Sequence, residues 1–251
     1  MRLSALMLAL VPALPALLAI AAAQAQERME AAPLVAPFSS AKPGGPIPRG
    51  WTPFSLGSGK RPTEYQLVEE QGRTVLHANA DAAASALSYA VKFDIHAAPV
   101  VEWRWKIADL IEGADNSVSS KEDSPARVVF GFDGDRSRFS ILERSSSSLA
   151  KTVTGRELPF AQIIYIWSNR APVGTVIANP HTRRVQMVVA SSGAAGVGKW
   201  QTLSRNVLED FRRAFGEEPG MLTDVGVFTD TDNTGGVAEA WYGDIRFQSA
   251  P

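Results

Sequence analysis

Val101-Glu-Trp-Arg-Trp-Lys-Ile107 alternates without a break. Val101, Trp103, Trp105 and Ile107 fall on one side of an extended chain, and Glu102, Arg104 and Lys106 fall on the other. A period of two marks a strand with one buried and one polar face. The two tryptophans are therefore assigned to the core. The charged row is either a solvated face or part of a binding surface, where a carboxylate and two cations could hold a polar or anionic ligand.

The same reading extends along the chain on both sides. Glu64–Val68, Thr74–Ala78, Leu87–Phe93, Val100–Ile107, Arg127–Phe132, Gln162–Trp167, Val185–Ala190, Trp200–Leu203, Asp224–Phe228 and Ala238–Phe247 are short β-prone runs divided by Gly, Pro and Asn. Many short strands with such turns specify an all-β domain, a single jelly-roll-like β-sandwich. One helix is expected near residues 206–216. Asn206 can cap it with Glu209 three residues on, Val207, Leu208, Phe211 and Phe215 share a face, and Gly216 ends it. Phe139 to Glu157, with the serine run Ser145–Ser148, is read as a long exposed loop, with a short helix as the alternative.

The N-terminus is an address. Arg2 precedes the apolar stretch Leu3–Ile20, which Pro12 and Pro15 interrupt, and Ala23-Gln-Ala25 is an A-x-A site, so cleavage after Ala25 is expected, with no anchor left in the membrane. The chain has no cysteine, hence no lipid attachment site and no disulfide, and release into the periplasm is the expected destination. Residues 26–48 mix Ala, Pro, Gly and charge and are read as a linker leading into the domain over 49–251, whose packing is expected to start near Phe38 and has begun by Trp51. Loss of Arg2 with the leader leaves 24 basic against 26 acidic residues, a formal net charge of −2. That balance argues against nucleic acid or an anionic membrane as the main partner.

Thr229-Asp-Thr-Asp-Asn-Thr-Gly-Gly236 sets Asp230, Asp232 and Thr234 on alternate residues before a glycine turn. Oxygen donors in that pattern suit a hard cation such as calcium or a polar ligand at the sheet rim, although a plain Asx-rich turn has the same composition. The closing glutamate of an EF-hand is missing, since Trp241 holds that position, so a calcium site would recruit a distant carboxylate such as Asp244 or Asp133. His77, His96 and His181 lack paired spacing, and no zinc site is expected. Gly193-Ala-Ala-Gly-Val-Gly198 lacks the Lys-Ser/Thr of a phosphate loop and is read as a hairpin between two strands, with no nucleotide bound.

Several pieces resemble a known family when taken together: Glu64–Val68, Val101–Ile107, Glu122-Asp-Ser-Pro-Ala-Arg-Val-Val-Phe-Gly-Phe-Asp-Gly-Asp135, Glu157–Trp167, Phe211–Pro219 and Thr229–Thr234. In this order they are similar to the bacterial exported family catalogued as domain of unknown function 3047. The resemblance implies a strand pattern like that of jelly-roll, carbohydrate-binding sandwiches, and it brings no activity or catalytic residue with it.

No Gly-x-Ser-x-Gly elbow is present. A carboxylate pair acting on a glycan is the enzymatic alternative, with Glu102, Asp133, Asp230, Asp232 and Glu239 as its acids and Trp167, Trp241 or Tyr242 as aromatic platforms. The leading expectation is noncatalytic binding of a polar small molecule or glycan. Its candidate ligand-binding residues are Glu102, Arg104, Lys106, Arg127, Asp133, Trp167 and Tyr242, and its candidate calcium ligands are Asp230, Asp232, Thr234 and Asp244. A structural or assembly role in the envelope is the third class.

Overall fold

The computed structural model describes residues 35–55, 57, 59–141, 143–145, 148, 151, 158–180 and 182–249. The expected leader and cleavage site, the start of the expected linker and His181 lie outside the described residues. Two sheets pack face to face as a jelly-roll-like sandwich. The larger sheet contains β1 (Trp51–Ser55), β4 (Ala84–Phe93), β6 (Ser124–Phe132), β7 (Ala161–Ser168), β8 (Val176–Ala178), β9 (Val185–Ser192) and β11 (Leu222–Asp230), in the order β1-β4-β11-β6-β7-β9-β8. The other contains β2 (Glu64–Glu70), β3 (Arg73–Asp81), β5 (Val100–Ile107), β10 (Gln201–Asn206) and β12 (Val237–Tyr242), in the order β10-β5-β12-β3-β2, with β13 (Arg246–Gln248) also paired to β5. Among these strand pairs β7 and β9 run parallel and the rest antiparallel.

The central strand behaves as its alternation requires. Val101, Trp103, Trp105 and Ile107 are buried, while Glu102, Arg104 and Lys106 are half-buried on the opposite face. Between the sheets, Trp103 lies 5.6 Å from Trp105 and 5.0 Å from Tyr165, and Trp105 lies 6.2 Å from Trp167, ring centre to ring centre. Trp105 Nε1 donates to Ser191 Oγ at 3.0 Å, so this large amphipathic ring is buried with its polar edge satisfied.

α1 (Val207–Phe215) forms where its signals placed it. The Asn206 side chain accepts the Glu209 N–H, and Gly216 closes the helix at φ +69°. Val207, Leu208 and Phe211 are buried, and the Tyr165 hydroxyl donates to Asp210 at 2.7 Å, which ties the helix to the sandwich.

Four expectations need correction. Residues 35–48, assigned to the linker, pack onto the domain: Phe38 is fully buried and stacks on Trp51 at 4.8 Å, and Trp51 Nε1 donates to the Ala36 carbonyl. Described residues of the expected 139–157 loop, Ile141, Glu143–Ser145, Ser148 and Lys151, are helical. The glycine-rich Gly193–Gly198 segment is a crossover, because β9 and β10 belong to different sheets. The run Ala238–Phe247 is two strands, broken at Gly243–Ile245.

The facing of β5 predicts unequal costs for neighbouring substitutions. Trp103→Ala should lose about 3–5 kcal/mol of stability through cavity formation, whereas Arg104→Ala should lose under about 1 kcal/mol, the scale of an exposed cation–π contact. Equal shifts of the urea midpoint in the two variants would contradict the assigned faces.

Candidate functional site

The candidate residues disperse to four places. Trp167 and Tyr242 are core residues and offer no surface to a ligand. Trp167 Nε1 donates to the Gly193 carbonyl, and the Tyr242 hydroxyl, reaching across from the smaller sheet, donates to the Phe228 carbonyl at 2.8 Å. Trp167 stands in an apolar run that gives no periodic sign of its facing, whereas Tyr242 lies on the inward side of the alternation set by Glu239 and Trp241, so the platform role assigned to both fails. Asp133 is exposed at a sheet end and accepts the N–H of its neighbour Gly134.

Arg127, Asp230, Asp232 and Thr234 do converge, in a nearly dry cluster at the rim of the larger sheet. Arg127 is 1% exposed. Its Nε and Nη2 grip the two carboxylate oxygens of Asp230 at 2.9 and 3.0 Å, and Nη1 reaches Glu122 Oε1 at 3.2 Å. Asp230 also accepts the Ser124 N–H at 3.1 Å. Asp123 accepts the N–H groups of Asn233 and Thr234 at 3.1 and 2.7 Å and the Thr234 hydroxyl at 2.6 Å. Asp232 is paired with Lys60. The repeat of oxygen donors thus clamps the β11–β12 turn onto residues 119–124, and Glu122 and Asp123 are the partners that sequence reasoning did not single out.

Asp123, Asp230 and Asp232 each place a carboxylate oxygen within 4.8 Å of the others and could hold a cation. Thr234 joins them through Asp123. Asp244, expected as a fourth ligand, does not belong to this group: its carboxylate accepts the Ser39 N–H and hydroxyl at 3.0 and 2.6 Å, on the other sheet.

Glu102, Arg104, Lys106 and Asp244 share the outer face of the smaller sheet with Trp241 and Glu239, named for the glycan alternative, and with Gln66, Glu70, His77 and Trp200, which the sequence did not flag. Register sets Gln66, His77, Trp241 and Lys106 side by side on four adjacent strands. Lys106 Nζ sits 3.9 Å from the Trp241 ring centre and 2.9 Å from the Glu70 carboxylate. The Arg104 guanidinium lies 4.3 Å over Trp200. His77 packs against Trp241 at 4.8 Å and bonds Glu239 at 2.9 Å. Indoles and cations interleave across the sheet, each cation lying over an aromatic face.

The break between β12 and β13 shapes the floor beside this row. A Cβ at Gly243 would come within 2.5 Å of Arg104 Cγ, so glycine there lets the arginine lie across the sheet. A groove of about 360 Å³ results, lined by Ser39, Arg73, Arg104, Asp244 and Arg246, and a contiguous recess adds Glu102 and Thr202. Partial burial, and then the charge of Arg73, pull the Arg104 guanidinium below its ordinary pKa. Unbroken alternation from Glu239 and Trp241 would turn Arg246 toward the core. The break reverses that parity and pairs Arg246 with Glu102.

The buried rim cluster predicts a pH dependence. Burial pushes the Asp230 carboxyl up to about 7 and the neighbouring Asp123 charge adds to it, with Arg127 pulling only partly back. A carboxyl raised on folding contributes stability that is complete below its unfolded pKa and lost as pH rises through the folded value. Stability should therefore decline between about pH 4 and pH 7 from this group, and Asp230→Asn should flatten that slope. An unchanged slope in urea melts of the variant would overturn the assignment.

Comparison with solved structures finds distant likenesses. The family 30 carbohydrate-binding module of a cellulosomal cellulase from Clostridium thermocellum is 13% identical, with TM-score 0.39 over 79% of this chain and 93% of that one. The xyloglucanase domain of NopAA, a type three effector from Sinorhizobium fredii in complex with cellobiose, is 9% identical, with TM-score 0.42 over 80% and 98%. Trichoderma harzianum endoglucanase 3 from family GH12 is 8% identical, with TM-score 0.38 over 80% and 95%. At such identities and scores none of these likenesses transfers an activity. No curated protein matches the sequence significantly. A family profile does, over residues 49–246, and the chain belongs to that family, described as protein of unknown function (DUF3047).

Proposed function

We propose that this is an exported, noncatalytic binding protein for a polar ligand of the saccharide class, taken on the outer face of the smaller sheet. The observation that carries the reading is the interleaved row of Trp200, Lys106, Trp241 and His77 beside the groove of Arg73, Arg104 and Asp244. Pyranose rings present apolar C–H faces and a fringe of hydroxyls. Half-buried indoles suit the first, and fixed charges and amides suit the second. Of the acids of the paired-acid alternative, Asp230 and Asp232 are engaged by Arg127 and Lys60 away from this face, and Glu239, on this face, is bonded to His77.

The test uses protein recovered from the periplasmic fraction, whose intact mass reports cleavage after Ala25, titrated with neutral and acidic oligosaccharides by calorimetry. Binding should weaken about tenfold or more in Trp241→Ala, equivalent to about 1.4 kcal/mol, with little change in melting temperature. No binding by any oligosaccharide, or equal binding by the variant, would overturn the reading.

A calcium ion at the rim cluster is a second, independent proposal, favoured by the 4.8 Å grouping of Asp123, Asp230 and Asp232. It requires the ion to compete with Lys60 and Arg127 for the same oxygens. Calcium at about 100 times its Kd would stabilise the fold by about 2.7 kcal/mol. Identical melts in calcium and in chelator would show that the two side-chain cations alone close the cluster.

A further inference from the structure

The groove on the smaller sheet carries a charge arrangement that neutral sugar binding does not need. Arg73, Arg104 and Arg246 line one space of about 360 Å³, and the acid among its lining residues is Asp244. Asp244 is already held by the Ser39 N–H and hydroxyl, and Arg246 touches it only at 3.4 Å. Among the described residues, neither Arg73 nor Arg104 forms an ion pair with a carboxylate. Counting Glu102 from the adjoining recess, three guanidinium groups face two carboxylates, a local surplus of positive charge on a chain whose formal net charge is −1.

An arginine cannot relieve such crowding by giving up its proton, so like charges held together favour an anion between them. Arg104 is held in place, pinned between Trp200 and the Cβ-free backbone of Gly243. Arg73 is exposed and follows the tight β2–β3 turn, where Gln71 and Gly72 have φ of 53° and 73°, so its backbone is placed at the same groove. A guanidinium presents a planar fork matched to an anionic oxygen pair.

We infer that this groove takes the acid group of an anionic saccharide, a uronate-type ring, with its carboxylate on Arg73 and Arg104. The inference rests on the saccharide reading and makes it specific. A carboxylate fits the flat two-oxygen fork, and Ser39 and Thr202 offer hydroxyls to the same ring.

The experiment compares oligogalacturonate with a neutral cello-oligosaccharide of equal length, and with inorganic phosphate alone, on the full mature chain at low and moderate salt. Oligogalacturonate should bind about tenfold or more tightly than the neutral oligomer, and the preference should shrink as salt rises. Arg73→Gln and Arg104→Gln should each weaken oligogalacturonate about tenfold more than they weaken the neutral oligomer, erasing most of the preference, with the melting temperature close to wild type. Neutral and acidic oligomers binding alike would overturn the inference and leave the saccharide reading standing. No binding of either oligomer would remove both. Phosphate competing as well as the oligogalacturonate would make the groove a simple anion site and overturn the saccharide assignment of the groove.

Discussion

Burial of the Arg127 guanidinium beside the Asp230 carboxylate is the constraint around which the rim of this sandwich is organised. Taking either charge out of water alone would cost several kcal/mol. The pair is tolerable because nearly every donor and acceptor is used: Asp230 takes both fork bonds and the Ser124 N–H, while Glu122 and Phe228 cover the rest of the guanidinium. That saturation needs strands β6 and β11 in register and residues 119–124 folded over them. Tyr242 then extends the linkage across the core, since its hydroxyl meets the Thr229 hydroxyl at 2.7 Å and accepts the Arg127 N–H at 3.3 Å. A hydroxyl from one sheet thereby satisfies backbone groups of the other, and the two sheets are aligned where the chain passes from β11 to β12.

Much of the architecture was legible because it is local. Strict alternation in Val101–Ile107, and the Asn206 and Gly216 caps around α1, each state their meaning within a few residues. Two strands escaped. β1 contains Pro53, which lowers its reading as a strand and is compatible with its place at the sheet edge, and β8 has only three residues. Partner choice was not legible either: a glycine-rich link between two strands looks the same whether the second strand returns beside the first or crosses to the opposite sheet. The site was half legible for the same reason. Glu102, Arg104 and Lys106 announce a charged row, but its meeting with Arg73 and Arg246 depends on a hairpin and on a reversal of parity at Gly243.

The two outer faces of the sandwich have different chemistry, and that difference favours the smaller sheet for the proposed ligand. On the larger sheet, Ile164, Ile166, Met187 and Val189 form one buried apolar cluster and Ala84, Ala86 and Phe228 another, so much of this face is already covered. The smaller sheet carries charged and aromatic side chains outward over its middle strands. Val75 lies beneath them at 1% exposure, which means that these long side chains lie down over the sheet and shield it.

Side chains laid flat in this way have already lost part of their rotamer freedom before any ligand arrives. Lys106 is held between the Glu70 carboxylate and the Trp241 ring, and Arg104 between Trp200 and Gly243. Ordering a rotamer-rich side chain on binding costs roughly 0.5–1.5 kcal/mol, and this packing lowers that cost for the cations that would meet a polar ligand. Arg73 lines the same groove and its charge acts against that of Arg104, a repulsion an anionic group placed between them would relieve. Rigidity and unrelieved charge in one groove are what separate this surface from an ordinary solvated face, where long charged side chains would spread apart into water.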